Sequence, residues 1–361
     1  MTLARWSVLA IAILINLIAS APEANAFPEM VRHGYANCVS CHVNLGGGGV
    51  LNEYGRALSL EALSTWGTEK EAQTAYGLFT SPEWLNAAIE TRALGYALEQ
   101  PDTLTLSTVL MQADAEAAVT LGGFSVVGTA GYFETEGAFI SRRHYAQYRL
   151  SDTVAVRAGK FYPVYGLMIA EHTSFIRRNN GFDQAQESYN LEASYVGENW
   201  SGFITGILES NERSLYNEEK GVALSGSYFF SNRFKLGLSA QRTSVNGNTP
   251  RVLLGAHAAL GFTSRFFYLG ELDWVDQNSK EGWTSYQRVD LEPIQGLHFF
   301  VTDEWVDSNR KVAGATHRFG PGIQFFPRPH IELQFQAQWQ STSNIPDSNL
   351  GIYSAMLNYY L

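Results

Sequence analysis

Strict alternation of apolar and polar side chains is the feature that most limits what this chain can fold into. Between Ile331 and Gln340, five apolar residues lie on one face of an extended chain and five polar residues on the other. Residues 234–241 repeat the pattern, with Lys235 on the polar face. A soluble protein could not bury five polar side chains or leave five apolar ones in water. Lipid on one face and a wet lumen on the other satisfies both, so the pattern predicts a transmembrane β-barrel.

The turns predict how many strands the barrel has. From about Asn86 onward, alternating stretches of roughly ten residues are separated by turn residues, as in outer-membrane barrels. Short turns are predicted at 122–123, 151–152, 197–199, 231–232, 263–264, 293–296 and 327–329. Longer loops are predicted near 99–103, 134–138, 162–184, 209–219, 243–250, 276–282, 307–313 and 342–348. Seven turns and eight loops make fifteen connections, hence sixteen strands, a number in the porin range.

Composition agrees with an all-β fold and excludes other classes. Charged residues make up 17% of the 361 residues and aromatic residues 13%. A helical membrane protein needs about 20 consecutive apolar residues per span, and no such run follows the N-terminus. The net charge of −10 argues against a nucleic-acid partner. A soluble β-sandwich or propeller is the alternative, but neither is expected to alternate short and long connections so regularly, and no blade repeat is present.

The first 26 residues are predicted to be a secretory signal peptide. Arg5 precedes an apolar stretch over 6–19, and the small-x-small pattern Ala24-Asn25-Ala26 follows it. The mature chain is therefore expected to begin at Phe27. A single anchor helix is the alternative, for which the stretch is short.

Both cysteines of the chain fall in one motif, Cys38-Val39-Ser40-Cys41-His42. C-x-x-C-H is the attachment motif of c-type haem, in which two thiols form thioethers with the porphyrin and the adjacent histidine ligates iron. We therefore predict one covalent haem c, with Cys38 and Cys41 as thioethers and His42 as an axial ligand. A structural zinc site would need four ligands, and a disulfide across so short a loop would be strained.

The haem motif lies in a small segment over residues 27–83, ahead of a barrel over 84–361. Asn52 is placed to cap a helix whose apolar residues recur at Leu51, Tyr54, Leu58 and Ala62. A second short helix is predicted over 68–76. Arg56 is interpreted either as a partner of a haem propionate or as a solvated arginine on the helix surface.

The second axial ligand of the iron has several candidates. Within the segment only Met30 and His33 are available, both upstream of His42, and His33 is preferred because imidazole is a strong iron ligand. Met168 or His172 could reach in from the lumen instead, and a five-coordinate iron is the remaining alternative.

The longest predicted loop, 162–184, connects the fifth and sixth strands. It combines charged and aromatic side chains, so it is expected either to fold into the pore or to be an ordinary extracellular loop. Glu271, Asp273 and Glu332 have lumen parity and predict an acidic interior. His257 and His298 also have lumen parity and are interpreted as water-bonded residues.

A signal peptide, one C-x-x-C-H segment and a porin-sized barrel in one chain resemble the fused outer-membrane cytochrome–porins. The best-known members are monohaem iron-oxidising cytochromes. The similarity rests on Phe27-Pro28, on Arg32 and Gly34 before the motif, and on 51–56 after it. It implies a bacterial outer-membrane protein with its haem segment on the periplasmic side or inside the barrel.

The expected function is electron transfer across the outer membrane, with extracellular Fe(II) as one donor and a soluble periplasmic cytochrome or other electron carrier as partner. Such a protein transfers electrons without an acid–base site, so it is an enzyme only in the sense of an Fe(II)-oxidising cytochrome. A diffusion porin, in which the haem segment is a plug or a redox-sensing gate, is the alternative. A peroxidase-like enzyme would need a distal acid–base pair that the sequence does not display.

Overall fold

The computed structural model describes nine stretches of the chain: 29–35, 37–78, 81–134, 137–209, 218–245, 250–277, 280–312, 314–346 and 348–361. The predicted signal peptide over 1–26, with its cleavage pattern, lies outside the described residues, as does Phe27-Pro28. Among the described residues, no helix combines the length and the hydropathy that a membrane span needs.

The described strands form one antiparallel sheet that closes on itself. Seventeen strand segments are hydrogen-bonded in a ring, and the first pairs with the last, with Ala93 opposite Leu357. Two short segments, Ala138–Ile140 and His144–Arg149, both pair with the third strand and form one interrupted strand. The barrel therefore has sixteen strands, as the turns predicted.

The sixteen strands are numbered here in chain order. They are β1 Leu85–Gln100, β2 Thr103–Leu121, β3 Phe124–Phe133, β4 Ala138–Ile140 with His144–Arg149, β5 Val154–Phe161, β6 Ser188–Val196, β7 Trp200–Glu209, β8 Lys220–Ser231, β9 Phe234–Ser244, β10 Arg251–Gly261, β11 Phe266–Gln277, β12 Lys280–Ile294, β13 Leu297–Asp307, β14 Thr316–Arg328, β15 Ile331–Thr342 and β16 Leu350–Tyr360.

Alternation decides which side chains face outward. On β15, Phe335 and Trp339 are each 53% exposed on the outer face, whereas Glu332, Gln334 and Gln338 are buried. The polar face thus lines the interior, and an apolar surface is left for lipid. Glu271 and Asp273 are also buried inside, which confirms their predicted lumen parity.

All fifteen predicted connections separate strands, but two of the predicted long loops are only two residues long. Between β1 and β2 the structure has only Pro101 and Asp102, and β11 and β12 are separated only by 278–279. The hairpins extend through polar residues such as Glu99 and Gln100, because backbone pairing continues where the strands leave the apolar layer.

The helical segment agrees with the prediction in its first half. The α-helix α1 covers Glu53–Leu58, and the Asn52 side chain accepts a hydrogen bond from Gly55 N at 2.8 Å, as expected of an N-cap. A π-helical turn, Ser59–Leu63, continues it. Further short helices are the 3-10 turn Glu29–His33 and, within the long loop, α2 over Phe175–Arg178.

The second predicted helix, over 68–76, is wrong. This stretch consists of turns and a 3-10 element, Thr74–Gly77, in which Ala75 and Tyr76 have positive φ. The chain has to leave the lumen here and cross the barrel rim, where Thr65 N and Trp66 N donate to Phe326 O and Pro327 O at 2.9 and 3.1 Å. Within 68–76 itself, Glu71 pairs with Arg328 at 3.4 Å and the Tyr76 ring packs against Tyr359 and His330, so contacts with the rim take the place of a regular helix.

The segment that carries the cysteines lies inside the lumen. Its apolar side chains share buried clusters with inward-facing wall residues: Val31 with Phe267 and Leu269, and Val50 with Val127. The barrel therefore supplies part of its core, beside a cluster of the segment's own that contains Met30, Cys41 and Leu58, and this explains how so short a segment can be stable.

The structure corrects the interpretation of Arg56 as a solvated arginine. It is 5% exposed rather than solvated, and it donates to Leu51 O at 2.9 Å and to Asn86 Oδ1 of β1 at 3.0 Å. The surface-arginine interpretation is therefore wrong, because the face of α1 that carries Arg56 packs against the barrel wall.

Candidate functional site

The C-x-x-C-H motif forms a single tight turn. Cys41 N and His42 N both donate to Cys38 O, at 3.3 and 3.1 Å. The chain then returns alongside itself, with Asn52 N donating to Cys41 O at 2.8 Å. Gly55 lies so close that a Cβ there would sit 2.4 Å from Cys41 O. The two thiols and the imidazole are thus held on one short stretch of backbone, as haem attachment requires.

His42 is oriented in the way an iron ligand needs. Its Nδ1 lies 3.3 Å from Gly49 O. Since a carbonyl oxygen only accepts, Nδ1 carries the proton and the lone pair is on Nε2. Burial lowers the pKa of His42 to about 4, so the ring is neutral at neutral pH. Ligating histidines commonly donate their other ring N–H to a backbone carbonyl in this way.

The four-glycine run is a fitted turn rather than a loose hinge. Gly47, Gly48 and Gly49 have φ values of +86°, +74° and +70°, which L side chains rarely adopt. A Cβ at Gly49 would lie 2.3 Å from Glu116 Oε1, and one at Gly47 would lie 2.9 Å from Cys38 Sγ. Glycine therefore lets the turn contact both the wall and the motif.

Buried ion pairs of the wall hold the segment. Arg157, 2% exposed, pairs with Glu192 at 2.6 Å and also donates to Asn44 Oδ1 at 2.5 Å. On the opposite side, Arg32 pairs with Glu292 at 2.9 Å. Because both pairs are hydrogen-bonded and buried, they fix the segment against two parts of the barrel.

A narrow cavity adjoins the motif. Cys38 lines it together with Leu45, Met168 and Lys235, whereas Cys41 and His42 are not among its lining residues. The wall side is built largely of small side chains, namely Ser201, Ser225, Ser227 and Ala259. A ligand joined to Cys38 would extend into this space.

The residues present fit a covalent c-type haem. The turn supplies two thiols, His42 supplies a neutral imidazole with its lone pair on Nε2, and Cys38 opens into a cavity. Burial raises the pKa of Cys41 to about 12, so its sulfur is a thiol in this fold.

The structure separates His33 from His42. His33 Nε2 lies 3.8 Å from Glu292, and its other charged neighbours are Arg32 and Arg233. The charged neighbours of His42 are Arg143, Glu116 and Glu90, so the two histidines face different parts of the wall. Burial lowers the pKa of His33 to about 4, and the ring is neutral.

Met30 packs in the buried cluster that contains Cys41. Of the two candidates from the long loop, Met168 lies closer to the motif. It lines the cavity with Cys38 and packs in the cluster that contains Val39. His172 instead bonds Asp183 through Nδ1 at 2.7 Å, within its own loop.

The long loop, residues 162–187, lies in the lumen next to the cysteine segment. Gly166 N donates to Ser239 Oγ at 3.0 Å, Leu167 N donates to Glu271 Oε2 at 2.5 Å, and the Tyr165 hydroxyl bonds Asp273 at 3.1 Å. The pore-loop interpretation is therefore confirmed. Glu271 and Asp273, predicted only as acidic lumen residues, anchor this loop.

The two lumen histidines have protein partners. His257 Nε2 lies 3.2 Å from Ser227 Oγ, and His298 Nδ1 lies 2.8 Å from Asp290. Within the described ranges, no group of three or more His, Cys, Asp or Glu side chains is arranged to hold a metal ion. The sequence placed Lys235 on the polar face of an alternating strand but did not indicate that it lies near Cys38.

Comparison with known proteins supports the barrel. No protein-family model and no curated protein sequence matches the chain. Among solved structures, an anion-selective porin from Comamonas acidovorans has a TM-score of 0.60 at 11% identity, over 77% of this chain and 99% of that one. OmpT of Vibrio cholerae with loop L8 deleted gives 0.57, at 11% identity and over the same shares. The outer-membrane channel DcaP of Acinetobacter baumannii gives 0.54 at 9% identity, over 78% and 99%. The fold is that of outer-membrane porins.

Proposed function

We propose that this protein resides in the bacterial outer membrane, carries one haem c attached to Cys38 and Cys41, and transfers electrons through the membrane. The observation that supports this most is the place of the C-x-x-C-H turn, which lies inside a membrane barrel with His42 neutral and oriented by Gly49 O. Haem c would supply one-electron exchange between ferric and ferrous iron.

The chain's own residues would enclose and orient the group. Leu45, Val164 and Phe203 form an apolar cluster on the cavity side of the segment, which keeps water away from it. Asn44 and Val50 hold the turn through their bonds to Arg157 and Glu116 of the wall. The surrounding barrel would isolate the site from lipid, so electrons would enter and leave along the lumen axis.

The second axial ligand is a separate part of the proposal. His33 remains our sequence-based prediction, and the cavity favours Met168 as its rival, because Met168 lines the same space as Cys38. Spectra of His33→Ala and Met168→Leu decide between them. The variant that loses the true ligand changes the low-spin spectrum of the wild type, and the other variant keeps it.

The electron partners follow from the position of the site. A single group in the short-turn half of the lumen cannot span the envelope, so a soluble periplasmic cytochrome or another carrier is the expected partner on that side. On the outer side, the net charge of −10 would favour a cationic donor such as Fe(II).

A second candidate function is a diffusion channel in which the cysteine segment is a plug or a redox-sensing gate. The likeness to porins supports this candidate more directly than it supports electron transfer. The segment and the long loop both occupy the lumen, and such an arrangement restricts the passage of solutes.

Sealed proteoliposomes discriminate the two candidates. The full-length protein, produced in a host that attaches c-type haem, is reconstituted around an internal electron acceptor and exposed to a membrane-impermeant external donor. Electron transfer predicts reduction of the internal acceptor by the wild type and its loss in Cys38→Ala/Cys41→Ala.

Solute leakage is measured on the same vesicles as the control. Leakage of ions or small sugars with no reduction of the acceptor would contradict electron transfer and support the channel. Leakage that changes with the redox state would support the gate.

A further inference from the structure

The chain between the lumen segment and β1 runs over the rim of the barrel. We call residues 65–78 of this connection the rim strap. It begins where Thr65 N and Trp66 N donate to Phe326 O and Pro327 O near the end of β14, at 2.9 and 3.1 Å. Main-chain bonds therefore fix the start of the strap to the rim at the short-turn end.

Two ring contacts place the strap on the outer side of the wall. The Trp66 ring meets Phe325 of β14 edge-on, with centroids 5.9 Å apart, and the Tyr76 ring stacks on Tyr359 of β16 at 6.5 Å. The residue before each of these wall aromatics is buried in the lumen. Because neighbouring side chains of a strand point to opposite faces, both wall aromatics face outward. The strap thus runs along the outside of the rim from β14 to β16.

The strap leaves large apolar side chains uncovered. Trp66 is 59% exposed and Leu78 is 85% exposed. Trp84, which comes just before β1, is 48% exposed. Exposed apolar residues grouped on one surface mark a site of contact with an apolar partner.

The opposite side of the barrel indicates what that partner is. Aromatic side chains gather near the short-turn ends of β7 to β11, namely Trp200, Phe230, Phe234, Phe262 and Phe266. Such girdles mark the level at which a barrel wall meets the membrane–water interface. On β14 and β16 the corresponding aromatics, Phe325 and Tyr359, are covered by the strap. Trp66 and Tyr76 therefore continue the lipid-facing surface at this level.

The charges of the strap do not favour a charged headgroup. Glu69, Lys70 and Glu71 sum to −1, and Glu71 pairs with Arg328 at 3.4 Å. Attraction to anionic lipids requires a cluster of lysines and arginines, whereas tryptophan and tyrosine prefer the interface of any bilayer. The apolar side chains of the strap are therefore the groups that would bind.

We propose that the rim strap is a lipid-binding surface that lies in the interface of the periplasmic leaflet, with Trp66 and Leu78 directed into the bilayer. This surface does not depend on haem attachment, because the strap lies outside the lumen. The strap follows directly on the π-helical turn Ser59–Leu63. Its position in lipid therefore also ties the lumen segment to the rim.

Photocrosslinking of the full-length protein in phospholipid vesicles tests the proposal. The photoreactive residue p-benzoylphenylalanine replaces Leu78 in one variant. It replaces Leu238, 70% exposed on the outer face of β9, in the positive control, and Val312, 62% exposed in the loop between β13 and β14, in the negative control. The yield of lipid adduct at Leu78 is expected to lie within about threefold of that at Leu238. It should exceed the yield at Val312 at least tenfold.

The lipid composition and the source of the membrane identify the occupant. The yield at Leu78 should be nearly the same in zwitterionic and in anionic vesicles, and a yield that requires anionic lipid would overturn the apolar contact. Equal yields at Leu78 and Val312 would also overturn the proposal. In outer-membrane fragments, an adduct of Leu78 with a second protein in place of lipid would do the same and would identify that protein as the partner.

Discussion

Gly49 contacts both the barrel wall and the C-x-x-C-H turn. Its φ is +70°, a Cβ there would lie 2.3 Å from Glu116 Oε1, and its carbonyl orients His42. Gly49→Ala is therefore expected to destabilise the lumen packing of the segment by about 2–3 kcal/mol, of which about 1 kcal/mol is the left-handed conformation. Hydrogen exchange of residues 38–52 measures this as lost protection.

Gly48→Ala is the matched control for Gly49→Ala. Its φ is similar at +74°, but the nearest atom to its Cβ would be Arg143 Nη1 at 3.7 Å. Gly48→Ala should destabilise the packing of the segment only through the left-handed backbone conformation, by about 1 kcal/mol. Equal loss of protection in the two variants would mean that the contact with Glu116 does not matter.

The packing of His330 at the short-turn rim is expected to be sensitive to acid. It is fully buried beside Tyr76 and Tyr360, and burial lowers its pKa from 6.5 to about 4. The unfolded state thus binds the proton more readily, so the contribution is complete above pH 6.5 and is lost as the pH falls toward 4. The shift corresponds to about 3 kcal/mol.

Urea unfolding in detergent between pH 7 and pH 4 measures this contribution. The wild type should lose stability over that range, and His330→Asn, which tolerates the local φ of +67°, should lose less. His317→Asn, an exposed histidine of β14, serves as control and should behave as the wild type. An identical pH dependence in His330→Asn and the wild type would contradict the prediction.

A role for a single residue could be proposed from the sequence only where its chemistry is local. Cys38, Cys41 and His42 form a contiguous motif whose spacing itself carries the chemistry. Arg56 and Lys235 could not be assigned, because the groups around them come from strands far along the chain. Their roles depend on how the segment lies within the barrel.

At the scale of elements, strands were predictable and the irregular segment was not. The strands alternate apolar and polar side chains because one face contacts lipid and the other the lumen. A register shift of one residue would move every side chain to the wrong face. A helix was predicted over 68–76, yet there the chain contacts the barrel rim, where Glu71 pairs with Arg328 and Tyr76 packs on Tyr359. Tertiary contacts replaced a weak local preference.

The long loop gives a prediction at the same scale. Gly166 has a φ of +63°, and a Cβ there would lie 2.1 Å from Glu271 Oε1. Gly166→Ala is expected to detach the loop from β11 and to expose Arg177, which is buried in the structure, so trypsin should cut there at least tenfold faster.

Gly137→Ala controls for the conformation alone. Its φ is +61°, and the nearest atom to its Cβ would be the Tyr132 hydroxyl at 4.0 Å. If both variants resist trypsin as well as the wild type does, the predicted contact between the long loop and Glu271 is contradicted.

At the scale of the whole molecule, two insertions share one lumen. The cysteine segment contacts the wall next to short turns, at Ala155, Phe267 and Gln295. The long loop lies against it, as Val31 with Leu167 and Leu45 with Val164 show. The sequence predicted the barrel, its strand number and the motif. It left open whether the segment lies inside or below the barrel, because that depends on shape complementarity between parts over a hundred residues apart.

The central claim is that the lumen segment carries a covalent haem, and the intact mass of the purified protein tests it most directly. For protein made in a host with the c-type attachment machinery, the account predicts the mass of the mature chain plus one haem. Cys38→Ser/Cys41→Ser should show the mass of the chain alone. The account would be contradicted if the wild-type chain carried no haem while a control cytochrome c made in the same host carried its full complement. The alternative function, a diffusion channel with the segment as its plug, would then be favoured.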